Sequence, residues 1–134
     1  MTPMTSEPVA LLLNLEATSP KGAALHQLFA QAGVMVHDIE PAQLADPVGY
    51  LADLPGFSPA EEQYAGVIPT EEFVLLCHMP DENVMELVRA MRAGGCSVGC
   101  KATLTEHNRT WPFVRLVQEV SEEHAAMTQY RAQQ

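Results

Sequence analysis

The chain has 134 residues, 47% of them apolar, and 17 acids against 7 bases give a net charge of −10. That length fits one domain with no need of disulfides or metal to fold, and the apolar content excludes a disordered chain. Seven scattered Lys and Arg residues exclude the basic cluster that nucleic-acid binding demands, and an anionic membrane surface would repel the chain.

The cysteines are Cys77, Cys96 and Cys100. Their odd number, in apolar or Gly-rich settings, argues against a disulfide framework and for reduced thiols in a cytoplasmic protein. The polar start through Pro8 and the short Val9–Leu15 run, cut off by Glu16, do not make a signal peptide. No run reaches the ~20 apolar residues of a membrane span.

In chain order, residues 1–8 read as a flexible tail and Val9–Leu15 as a strand buried on both faces. Ser19-Pro20 opens a helix with Leu25 and Phe29 inward, and Gly33 stops it. Val34–Ile39 is a second strand. Residues 40–70 hold five prolines and three glycines and predict a long insertion with helical turns at Pro41–Ala45 and Pro47–Asp53. Ser58–Glu61 has capping-box spacing. About thirty residues far exceeds the usual ~4–6 of a connection, so the segment is functional or a packed insertion.

Phe73–Cys77 is a third, wholly apolar strand. Asp81 caps a helix facing inward through Val84, Leu87, Val88 and Met91, with Gly94-Gly95 as its stop. Val98–Leu104 is a fourth strand, with Val98, Cys100, Ala102 and Leu104 on one face. A last helix runs from about Thr110 to Met127 with Pro112 in its first turn. Residues 9–127 form the domain and 128–134 a tail.

Two β-α-β halves in sequence predict an α+β, ferredoxin-like βαββαβ sandwich with a long insertion between strands 2 and 3 and an extra C-terminal helix. The alternative, a small doubly wound parallel sheet, fits poorly with a loop where a helix should be. Strands 1 and 3 are apolar on both sides, so both sheet faces need cover. The C-terminal helix is the expected cover on the second face, with a homodimer as the alternative. If that helix docks through Trp111, Trp111→Ala should cost about 3–5 kcal/mol.

Two stretches, Pro47–Phe57 and Leu104-Thr-Glu-His-Asn-Arg-Thr-Trp111, resemble a bacterial family of small proteins catalogued as domain of unknown function 3783. The resemblance extends from Val9 to about His124. It implies that Tyr50, Gly56, Phe57, Asn108 and Trp111 are family-marking positions, and it carries over no activity and no cofactor.

Candidate chemistry is sparse. Cys77, His78, Cys96 and Cys100 match a zinc inventory in type but not in spacing, and small buried hydrophobes explain the thiols better. Cys77 and His78 are strand neighbours that point apart, so adjacency makes no nucleophile–base pair. Thr18–Gly22 with Lys21 could hold an anion at a helix start, but reads first as an ordinary cap. No Gly-rich phosphate loop and no nucleophile elbow occur.

Topology supplies the leading site. If strands 3 and 4 run parallel, their C-terminal ends share one edge, which gathers His78 and Asp81 with Thr105, His107, Asn108 and Arg109. The expected role is a noncatalytic small-ligand-binding or regulatory module taking a small anionic ligand or a protein partner. The alternatives are a protein–protein adaptor using residues 40–70, with Tyr50 and Phe57 as its contacts, and a small enzyme or metal-binding protein on the His78/His107 edge. Solution mass and ligand screening separate these readings.

Overall fold

The computed structural model describes residues 7–132. The expected N-terminal tail falls mostly on residues 1–6, outside the described residues. The strands are β1 (Val9–Leu13), β2 (Met35–Asp38), β3 (Phe73–Cys77) and β4 (Cys100–Thr103). The helices are α1 (Pro20–Gln31), a short α2 (Val48–Leu51), α3 (Asp81–Ala93) and α4 (Phe113–Ala132), with a 3-10 turn at Pro41–Ala45.

Local chemistry explains most boundaries. Ser19 Oγ accepts from the Gly22 amide at 3.0 Å, and Pro20 occupies the first helical position of α1. Gly33 follows α1 with φ +77°, a left-handed conformation that glycine adopts without steric cost. Asp81 and Glu82 fill the first turn of α3 and Arg92 its last, both offsetting the helix dipole. Asp81 is the first helical residue there, and Pro80 takes the capping position. α4 begins at Phe113, after Pro112, whose carbonyl accepts from the Arg115 amide at 3.0 Å. α4 continues beyond the expected end at Met127, through residues 128–132, where Ala, Gln and Arg all favour helix. No helix forms at Ser58–Glu61 despite its capping-box spacing.

The sheet order is β2-β1-β3-β4. β1/β2 and β3/β4 are parallel pairs and β1/β3 is antiparallel. β1 and β3 are central, as expected, and the α+β class holds. The order departs from a ferredoxin-like sheet, which would set β2 against β3 and β4 against β1. Here each edge strand stays beside the central strand of its own half. The long connection after β2 crosses a sheet face instead of closing a hairpin, so β2 and β3 need not be neighbours.

Strand alternation sends the core two ways. Ala10, Leu12, Val74 and Leu76 pack with Leu25 and Phe29 of α1 and Leu87 and Met91 of α3. Leu11, Leu13, Phe73, Leu75 and Cys77 pack with Leu44, Val48 and Leu51 of the insertion and Phe113, Leu116 and Val117 of α4. Both faces are therefore covered within one chain, in three layers, and burial requires no second subunit. Val98 leaves the face expected for it. It precedes β4 and packs on the α1/α3 side, whereas Cys100, Ala102 and Leu104 face α4.

Candidate functional site

The two quoted stretches are structural partners. The amides of Val48 and Gly49 donate to the carbonyls of Trp111 and Arg109, each at 2.8 Å, and the Phe113 amide donates to Asp46 O at 2.9 Å. They clamp the insertion against the start of α4. A Cβ on Gly49 would lie 2.6 Å from the Phe57 ring. Phe57 thus folds back onto Gly49 and is half-buried, whereas Tyr50 stays exposed.

Asn108 closes the turn between β4 and α4. Its Oδ1 accepts from the Thr105 amide (2.9 Å), its Nδ2 donates to Thr103 O (3.0 Å), and its own amide donates to Thr105 Oγ1 (3.1 Å). It is the one buried polar side chain among the described residues, and both ends of its amide are committed to the turn. His107 packs edge-on against Trp111 with ring centroids 5.1 Å apart, and the Arg115 guanidinium lies 4.2 Å from the Trp111 ring centre. A shallow groove of about 300 Å³ runs beside Thr105, His107 and Trp111. Arg109 is exposed and contributes its carbonyl to the clamp.

His78 does not join that group. Its backbone is left-handed, with φ +63°, which swings the ring from the end of β3 toward the insertion. There Nε2 lies 2.7 Å from Ala52 O. The carbonyl can only accept, so Nε2 carries the proton, and in the neutral ring Nδ1 is left as an acceptor. Asp81 opens α3 on the other side of the sheet. The six residues expected at one edge are thus divided. Thr105, His107, Asn108 and Arg109 share one turn, the Arg109 amide donating to Thr105 O at 3.1 Å, while His78 and Asp81 go elsewhere.

His78 instead helps line a cleft of about 440 Å³ with Val9, Met35, His37, Tyr50 and Asp53. The cleft lies where β1 and β2 begin and β3 ends. Tyr50 and His78, assigned to different candidate sites in the sequence, both line it. His37 Nε2 lies 3.3 Å from Gln43 Nε2. Gln43 Oε1 already accepts from the Glu40 amide at 2.8 Å, so the Gln43 amide group is the donor and His37 Nε2 the acceptor. Asp53 also has a left-handed backbone, φ +63°. Two of the three non-glycine residues in that conformation among those described therefore border one cleft. Asp and His tolerate it better than most residues, yet it still costs free energy. Asp53 and this convergence leave no signal in the sequence. Only the pairing of β1 with β2 brings His37 near His78.

The thiols lie apart from both clefts. Cys77 and Cys100 belong to the α4-side core and Cys96 to the α1/α3 side, so the three do not converge. Burial pushes the Cys77 thiol up to about 12. A thiol held protonated is a poor nucleophile and a poor metal ligand. Lys21 is paired with Glu72 at 2.7 Å, and the α1 start behaves as a capped helix.

No helix among the described residues is long and apolar enough to cross a membrane. No curated protein and no solved structure matches the chain. A family match begins at β3, so Asn108 and Trp111 lie inside it while Tyr50, Gly56 and Phe57 lie outside, and the resemblance does not reach back to Val9. The segment spanning β3, α3, β4 and most of α4, residues 72–127, matches the family described as a domain of unknown function (DUF3783).

Proposed function

We propose that this protein is a noncatalytic small-ligand-binding module whose ligand occupies the cleft between His37, Tyr50, Asp53 and His78. The observation that carries this reading is the convergence of two left-handed, non-glycine residues, Asp53 and His78, on one cleft. Strained backbone persists where the surroundings hold it, and it concentrates at binding sites. A volume of about 440 Å³ lies within the usual range for small-molecule sites.

The lining chemistry narrows the ligand. Glu7 and Asp53 supply carboxylates, and among the described residues no Lys or Arg borders the cleft. His78 Nδ1 and the Tyr50 hydroxyl supply directional hydrogen bonding beside the apolar Val9 and Met35. A neutral or cationic polar compound suits this lining better than the anion expected from sequence. The test is a thermal-shift screen with small amines, nucleosides and small organic anions. The expected result is a saturable shift with an amine or nucleoside that is lost in His78→Ala and Tyr50→Ala and kept in His107→Ala. Loss in His107→Ala with retention in His78→Ala would move the site to the groove beside α4 and defeat this reading.

The adaptor reading keeps one supporting observation. Val67 and Ile68, adjacent in the insertion, are 87% and 48% exposed. An exposed apolar pair of this kind suits a protein contact. A specific complex lost in Val67→Asp but intact in Tyr50→Ala would favour the adaptor over the cleft.

A further inference from the structure

Most basic residues of this acidic chain are dispersed, but Arg92 and Lys101 border the same hollow. It measures about 220 Å³ and lies between the end of α3 and the start of β4, with Ser97 and Gly99 on its rim. Lys101 and Val74 are register partners in the β3/β4 ladder. Val74 faces the α1/α3 layer, so Lys101 does too. The Lys101 ammonium donates to the carbonyl of Val98, which leaves two of its three donors without that acceptor. Among the described residues, neither Arg92 nor Lys101 has a carboxylate within ion-pair distance; the base–carboxylate contacts present are Lys21–Glu72 and His26–Asp38.

Two unpaired cations around one hollow repel each other unless an anion joins them. The Lys101 pKa is lowered chiefly by burial and then by the Arg92 charge, with Cys100 acting against the shift and Lys21 adding to it. In a chain of net charge −10, two neighbouring bases without an acid partner form a local positive patch. The C-terminal end of α3 carries partial negative charge, so the side chains rather than the helix must supply the attraction. An Arg fork and a Lys point charge together match the oxygens of a phosphoryl group, and the small volume admits little more than that group.

We propose that the hollow bounded by Arg92, Ser97, Gly99 and Lys101 is a binding site for a phosphoryl oxyanion, either free phosphate or the phosphate of a small phosphomonoester. This site is separate from the His37–His78 cleft and stands whether or not that cleft binds a ligand.

The experiment is an amide chemical-shift titration of the full chain with inorganic phosphate and, separately, with glycerol 3-phosphate. Sodium chloride at equal ionic strength is the control. Saturable shifts confined to residues 97–101 and neighbouring α3 residues are expected with both phosphates and not with chloride. Arg92→Gln and Lys101→Gln should each weaken binding about tenfold, as loss of a charge-assisted hydrogen bond does. Tighter binding of glycerol 3-phosphate marks a phosphomonoester as the ligand; equal or weaker binding marks free phosphate. Shifts that follow chloride equally, fail to saturate, or survive both substitutions overturn the proposal. Arg92 is exposed, so Arg92→Gln leaves the core intact and keeps the test decisive even if Lys101→Gln disturbs β4.

Discussion

Cys77 ends the most deeply buried strand, and its thiol is pushed up from 9.0 to about 12 by desolvation alone. The folded state therefore holds this proton more tightly than the unfolded chain does. Its contribution to stability is complete below pH 9 and is lost as pH rises toward 12. Between pH 9 and 11 the loss should be about 2–3 kcal/mol. Chemical denaturation across that range should show a clearly shallower decline for Cys77→Ala. Gly22 shows a second residue-scale constraint: a Cβ there would collide with the backbone carbonyl of Glu16. Gly22→Ala should cost at least about 1–3 kcal/mol by overpacking, read from the urea midpoint. Asp53 runs the other way. It is exposed with φ +63°, so Asp53→Gly should raise stability by roughly 0.5–1 kcal/mol while weakening ligand binding in the cleft. The caps were legible because Ser19, Gly33 and Gly95 act on their immediate neighbours. The left-handed His78 was not, because tertiary contact with Ala52, rather than local sequence, holds it.

At the scale of elements, α4 is anchored by a different residue than sequence suggested. Phe113 is fully buried and meets Phe73 edge-on at 5.5 Å, whereas Trp111 is half-buried and held between His107 and Arg115. Phe113→Ala should therefore cost about 3–5 kcal/mol. Trp111→Ala should cost roughly 2 kcal/mol, because a half-exposed ring and a surface cation–π contact give up less. Equal losses in thermal denaturation would show that Trp111 anchors the helix after all. Helical periodicity reveals that α4 has an apolar face but cannot say which aromatic reaches the sheet, since that depends on where Pro112 allows the helix to begin. The same limit applies to the insertion. Its helical turns at 41–45 and 48–51 were legible from the prolines, and its clamp onto Arg109 and Trp111 was not, because backbone hydrogen bonds leave no side-chain signature. Asn14 makes the point again: its Nδ2 donates to Pro69 O and Glu71 O at 2.9 and 2.8 Å, guiding the chain into β3 from fifty-odd residues away in a way no spacing rule foretells.

For the whole molecule, the demand for two layers of cover was readable from strands apolar on both sides, and the insertion with α4 supplies the second layer. Strand order was not readable. The ferredoxin-like order and the observed one share the same strand directions and central pair, and they differ only in which central strand each edge strand joins. That choice decides the site. With β2 beside β1, Met35 and His37 stand next to Val9 and form one wall of the cleft opposite His78. Backbone hydrogen bonds read by cross-hydrogen-bond scalar coupling test the order directly. Coupling is expected from the Ile39 amide to Leu12 O and from the Leu104 amide to Leu76 O, which lie at 2.8 and 3.1 Å. Coupling from Leu104 to a β1 carbonyl, or from β2 amides to β3, would contradict it and dissolve the cleft.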